Sequence, residues 1–278
     1  ADEERLAADL RSAVEDEPTL RILHVAALEN HATPSMRSLL RMQHRVLDGT
    51  QRLFRAAAAA DLRAPIWVTT RGAQRVLDTD PVSPEQTSLW GFCRAVALEY
   101  PQVWGGLADV SGKAEEWSRL IGQIVGAARG EDQIALRGQV VHVPRLSRRT
   151  GQPNPTALEL RSDATYLVTG GLGSLGLEIA GYLAAHGARH LVLTSRRAPG
   201  SAAEQRMDAL RQQYGCEVRA VASDVANPHD IAHLIATIAA ELPPLAGIVQ
   251  AAGENIPTPL STRDPAAPER VFSVTAWG

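Results

Sequence analysis

The stretch "TYLVTGGLGSLGLEIAGYL", residues 165–183, limits what the chain can fold into more than any other. An apolar run suited to a buried strand ends in Gly170-Gly171, and apolar residues resume at helical spacing from Leu175 onward. Gly171, Gly173 and Gly176 fit the pattern G-x-G-x-x-G between a strand and a helix. In a βαβ unit the first glycine permits a tight turn, the second lets a pyrophosphate approach the backbone, and the third lets helix and strand pack closely. The helix N-terminus adds amides and partial positive charge. Thr169, Gly170, Leu172, Ser174 and Leu175 complete the candidate cradle. A purely structural turn is the competing reading, because one fold carries many sites.

The rest of the chain supplies the context that a short glycine pattern needs. Strand-like and helix-like segments alternate throughout, which predicts α/β layers with mostly parallel sheets. In the first half, strands are expected at 20–28, 64–73 and 104–110, and helices at 35–60, 84–99 and 114–128. A hairpin should turn at Arg137-Gly138. Ser83 as N-cap, Pro84 at the first helical position and Gln86 closing a capping box mark the start of helix 84–99. The polar, non-periodic stretch 147–163 reads as a linker. After it come strands at 164–169, 190–196, 217–225 and 246–253, with helices between them, as in the first part of a doubly wound sheet. "ILHVAAL" and "GIVQAAG" are alike, so the first half reads as a degenerate copy of the second, each fold incomplete. The expected division is 1–146, linker 147–163, and 164–278.

Length and composition fit this plan. The 278 residues suffice for two domains, and 45% apolar with 21% charged residues describes a compact protein. A net charge of −3 without a basic block gives no footprint for nucleic acid or an anionic membrane surface. No apolar stretch has the length of a membrane span, and the acidic N-terminus does not resemble a signal peptide, so a cytoplasmic location is expected. Cys93 and Cys216 lack metal or redox spacing and should be buried as small apolar residues.

Strand ends carry the specificity. An NAD site places an acidic residue about 20 residues beyond the loop to hold the ribose 2′-hydroxyl. Ser195-Arg196-Arg197 stands there instead, which favours the 2′-phosphate of NADP, with Arg196 as its guanidinium partner. Asp224-Val225 either receives adenine or starts the turn before Asn227-Pro228. Ala251-Ala252-Gly253 suits backbone passing close to a ribose or nicotinamide, or close strand-to-helix packing.

These segments, with "SDVANPHDIAHLIATI" and "PPLAGIVQAAG", resemble the ketoreductase domain of modular type I polyketide synthases, a branch of the short-chain dehydrogenase/reductase superfamily. "IWVTTRGAQ", "QTSLWGFCRAVALEYP", "WGGLADV" and "DQIALRGQVVHVPRL" resemble that family's catalytically silent structural subdomain. The resemblance implies tandem Rossmann-like subdomains and NADPH-dependent reduction of a β-ketoacyl chain on an acyl carrier protein, among neighbouring synthase domains. It also implies a Tyr that gives a proton to the ketone oxygen, a Ser that hydrogen-bonds it, and a Lys supporting the Tyr and the ribose. The Ser and Tyr are expected beyond Gly278. The short linker implies a module without an inserted enoylreductase.

Two departures stand out. "RVFSVTAWG" aligns with V-F-x-x-K-x-x-G and puts Thr275 at the Lys position, so an impaired reductase or a redox-inactive scaffold is expected. The loop "GENIPTPLSTRDPAAPE" lacks the L-D-D of one stereochemical class, and Gln250 stands where the family often has His.

Overall fold

The computed structural model describes residues 2–17, 19–29, 35–126, 130–148, 159–253, 258–262, 264 and 267–275. The chain divides into two compact units, the first comprising 1–149 with 258–265, the second 150–257 with 266–278. The units are thus not contiguous in sequence. Residues 258–265 group with the first unit although they follow the last strand of the second, and most of the expected linker, 149–158, lies outside the described residues.

The first unit is a five-stranded sheet of β1 (Ile22–His24), β2 (Ile66–Arg71), β3 (Trp104–Val110), β4 (Gln133–Arg137) and β5 (Val140–His142). They lie side by side in chain order, parallel except for the β4–β5 hairpin. Gly138 turns that hairpin at φ +60°. Strand β1 is shorter than expected, because a 3₁₀ turn over Ala26–Glu29 begins as soon as the small residues do. Helices α2 (Met36–Arg41) and α3 (Asp48–Ala59) join through a π-helical segment, Met42–Leu47, where Met42, Gln43, Val46 and Leu47 are all buried.

Helix α4 (Pro84–Glu99) has the expected bounds, but its start is built differently. Ser83 makes no side-chain capping hydrogen bond, and the Gln86 side chain instead accepts the Arg71 backbone N–H at 2.8 Å. Tying helix to strand end displaces the expected capping box. Helix α5 (Ala114–Gly126) closes the opposite face, its Leu120 and Ile124 clustering with Trp67, Ala108, Val110, Ile134 and Leu136 of the sheet. Helix α1 (Asp2–Asp16), not anticipated from its acidic sequence, packs on α3 through the buried Ala7 and an Arg55–Glu3 ion pair at 3.2 Å. Cys93 is buried in this unit and Cys216 in the second, and burial pushes both thiols up.

The second unit contains β6 (Thr165–Thr169), α6 (Ser174–Ala185), β7 (His190–Ser195), α7 (Ser201–Tyr214), β8 (Glu217–Ala222), α8 (Pro228–Glu241), β9 (Leu245–Gln250) and α9 (Ala267–Thr275). Its sheet is wholly parallel in the order β8-β7-β6-β9. Alternation along the central strands decides the layers. Tyr166, Val168, Leu191 and Leu193 face α6 and α7, whereas Leu167 and Val192 face Leu234 and Ile238 of α8. With helices on both faces and the order 3-2-1-4, this is the first part of a doubly wound Rossmann fold. The first unit, wound in one direction only, corresponds to a later part of such a fold.

Candidate functional site

In a doubly wound sheet ligands bind beyond the carboxyl ends of the strands, where the strand order reverses. Here that point lies between β6 and β9, and the glycine loop springs from it.

The loop's glycines divide by role. Gly170, at φ +62°, makes the left-handed turn expected of Gly171. A Cβ on Gly170 would lie 2.7 Å from Ala252 Cα and 2.8 Å from Ala251 O, so the end of β9 rests directly on the turn. Gly171 is a packing glycine. Its N–H donates to Thr194 O at 2.9 Å, and a Cβ would come within 2.7 Å of Leu193 Cβ and of Val168 O. Gly176 seats the first turn of α6 on the loop, where a Cβ would meet Gly170 O at 2.4 Å. Gly173 differs from these three. It is the N-cap of α6, no side chain caps that helix, and the nearest atom to a Cβ there is Gly170 O at 3.3 Å. The loop is therefore closed by packing everywhere except at the helix N-terminus.

A cleft of about 240 Å³ opens over it. Gly170 and Gly173 contribute from the loop, Ser195 and Arg196 from the end of β7, Asp224 and Val225 from the end of β8, and Ala251, Ala252 and Gly253 from the end of β9. Residues from four separate strand ends, predicted one by one, thus meet around one space. Thr169, Gly171, Leu172, Ser174, Leu175 and Gly176 do not line it; they shape its support or lie beside it. Thr194, Ser223 and Val274 also line the cleft and were not predicted. The first two are neighbours of predicted cleft residues, and Val274 directly precedes Thr275, which was singled out for chemistry rather than as part of the cleft wall.

Asp224 builds the turn before Asn227-Pro228, one of the two roles left open above. Its Oδ1 accepts the Ala226 N–H at 3.0 Å, its carbonyl accepts the Asn227 N–H at 2.9 Å, and its own N–H donates to Asp230 Oδ2 at 2.9 Å. The carboxylate still borders the cleft. The β7 and β8 ends are locked by Ser223 N–H donating to Ser195 O at 2.9 Å. Thr194 Oγ1 and Ser223 Oγ, both buried at this wall, have no hydrogen-bond partner among the described residues. On the other side, Thr169 accepts the Ala251 N–H on its carbonyl at 3.1 Å and the Ala252 N–H on its hydroxyl at 3.3 Å. The Thr169 hydroxyl donates to Gln250 Oε1, and Gln250 Nε2 donates to Val274 O at 3.0 Å. Thr275 ends α9 exposed, its hydroxyl donating to Val271 O at 2.7 Å.

The fold and site define a nucleotide-binding architecture of the short-chain dehydrogenase/reductase kind, accompanied by a second nucleotide-type sheet with no glycine loop. Comparison with known proteins makes this particular. Residues 164–278 match the family described as KR domain, and residues 1–146 match that described as the Rossmann fold domain of polyketide synthase extender module SpnB. The chain belongs to the ketoreductase domains of modular polyketide synthases. Over 227 residues it is 37% identical to the pikromycin polyketide synthase component PikAIII of Streptomyces venezuelae, covering 80% of this chain and 14% of that protein. Erythronolide synthase EryA3 of Saccharopolyspora erythraea is 38% identical over 213 residues, 75% of this chain and 7% of that protein. A solved structure described as an A1-type ketoreductase superposes with a TM-score of 0.78 at 32% identity, over 98% of this chain and 57% of its own. One described as a C2-type ketoreductase from a modular polyketide synthase gives 0.77 at 28% identity, over 100% and 59%. The chain thus spans a small part of the curated relatives and somewhat over half of the solved ones.

Proposed function

We propose that the second unit binds NADPH and serves the reduction of a β-keto group on an acyl chain borne by an acyl carrier protein, among other polyketide synthase domains in the cytoplasm. The observation that carries this reading is the single cleft at the β6/β9 switch point, which gathers the glycine loop, the uncapped α6 N-terminus and Arg196. The residues present fit the cofactor. Gly173 is open where a pyrophosphate would pass, Arg196 lines the cleft where a 2′-phosphate would lie, and two buried hydroxyls at the β7 and β8 ends have no hydrogen-bond partner among the described residues. In this reading the α6 amides hold the pyrophosphate, Arg196 the 2′-phosphate, Asp224 and Val225 the adenine, and Ala251 to Gly253 border the ribose and nicotinamide. NADPH, when bound, supplies the hydride.

The proposal includes impairment of the chemistry. Thr275 stands at the position of the family's lysine, and a hydroxyl bonded to its own helix carries no charge to support a proton donor or hold a ribose. That observation also favours a second reading, a redox-inactive domain that organises its neighbours. Titrating the intact module with NADPH and a β-ketoacyl thioester separates them. Binding with little turnover is expected, and Thr275→Lys should raise turnover on the order of a hundredfold. Brisk wild-type turnover would refute impairment, and absence of NADPH binding would refute the cofactor reading and leave the scaffold.

A further inference from the structure

Gln250 ends β9 and does not line the cleft, yet its side chain spans two elements that shape it. Its amide oxygen accepts the Thr169 hydroxyl at the end of β6, and its amide nitrogen donates to Val274 O in the last turn of α9 at 3.0 Å. Thr169 is in turn fixed by accepting the Ala251 and Ala252 N–H groups. The result is a continuous chain of hydrogen bonds from strand β6 through one amide to α9. Val274, whose carbonyl is the end of that chain, has a buried side chain on the cleft wall. The Ser273 and Thr275 hydroxyls donate within the helix, to Arg270 O and Val271 O. Gln250 is therefore a hydrogen-bonded link between the helix and the sheet that carries the glycine loop.

We propose that Gln250 is a positioning residue that holds the last turn of α9, and with it the Val274 wall, against the cleft. The sheet order says which end of the cleft this is. The β7 and β8 ends, with Arg196 and Asp224, lie on one side of the glycine loop, and the β9 end with Val274 lies on the other. If the cofactor reading above holds, on which this part rests, Gln250 acts at the nicotinamide end and leaves the adenosine end alone. A side chain here must offer both an acceptor and a donor, as the amide does and as a neutral imidazole also can. A carboxylate of the same shape keeps the acceptor for Thr169 but loses the N–H for Val274 O and sets an anion beside that carbonyl.

Gln250→Glu and Gln250→Leu in the full chain test this. Amide exchange over 271–275 should accelerate about tenfold in both, the worth of one net hydrogen bond, while exchange in β6 and β7 stays as in the wild type. In the same variants the Kd of 2′,5′-ADP, which probes only the adenosine end, should stay within about twofold, while that of NADPH rises about fivefold or more and the emission of the bound nicotinamide changes. Unchanged exchange in α9, an α9 already unprotected in the wild type, or a parallel loss of both affinities would overturn the proposal. A wild-type chain that binds neither nucleotide would refute the cofactor reading, and the exchange measurement alone then decides the role of Gln250.

Discussion

At the scale of single residues, the glycine loop shows how far one atom reaches. Gly170 and Gly173 are three residues apart in the same loop, yet an added methyl group has opposite consequences at the two. Gly170 is left-handed and already in contact with the Ala251-Ala252 backbone, so Gly170→Ala meets both a backbone penalty and a collision with atoms that cannot rotate away. It should destabilise the second unit by about 2–4 kcal/mol. Gly173 has φ −78° and ψ 168°, open to any residue, and its nearest neighbour at 3.3 Å needs to yield only slightly. Gly173→Ala should leave stability within about 1 kcal/mol and weaken NADPH binding, since the methyl group occupies the surface where a pyrophosphate would approach. Thermal unfolding and cofactor titration of both variants check this, and equal stability losses would contradict the division of roles. The sequence located this loop but assigned the turn to Gly171. In a Gly-Gly pair both residues tolerate a left-handed φ, and only the neighbouring strand end, distant in sequence, reveals which one adopts it.

At the scale of elements, periodicity carried most of the information, and what it missed were interactions between elements. The buried strand β6 and the bounds of α4 were readable because each depends on local sequence. Gln86 was misread as a local cap because nothing near it announces that the Arg71 N–H needs an acceptor. A buried cluster in the first unit is of the same kind. Arg137 at the end of β4 donates to Asp109 Oδ2 of β3 at 2.9 Å and to Asp80 Oδ2 in the β2–α4 connection at 2.7 Å. Asp109 Oδ1 also accepts the Thr70 hydroxyl at 2.6 Å and the Ala73 N–H at 2.8 Å. Burial would raise the Asp80 pKa, but the Leu77 N–H, the Arg137 side chain and the Val76 N–H outweigh it and lower it from 3.8 to about 2. A carboxylate depressed in the folded state stabilises above its unfolded pKa and loses that contribution as pH falls through the folded one. The advantage of the wild type over Asp80→Asn should therefore be full at pH 7 and fade between about pH 4 and 2. Urea unfolding across that range checks it, and a pH-independent difference would show that the charge of Asp80 contributes nothing.

At the scale of the whole molecule, the order of residues along the chain and the membership of the two units part company. The sequence invited a single cut near residue 150, and the family matches at 1–146 and 164–278 follow the same order. The structure instead returns 258–265 to the first unit between β9 and α9 of the second. No periodic pattern marks this, since the segment is short and held mainly by its backbone. Leu260 N–H donates to Glu99 Oε2 at the end of α4 at 2.7 Å, and Leu260 O accepts from Gln51 Nε2 of α3 at 3.3 Å. Its side chain is 3% exposed, as buried as many core residues of that unit. A residue that follows the glycine loop by some ninety positions should therefore stabilise the unit that lacks one. Leu260→Ala should cost about 2–3 kcal/mol by leaving a cavity, and amide exchange should accelerate in α3 and α4 rather than in β6 and β7. Faster exchange confined to β6 and β7 would assign the segment to the second unit. Because a stretch joining β9 to α9 is built into the first unit, dividing this chain at residue 150 removes a buried residue from one product, so activity and stability are best compared on the undivided chain.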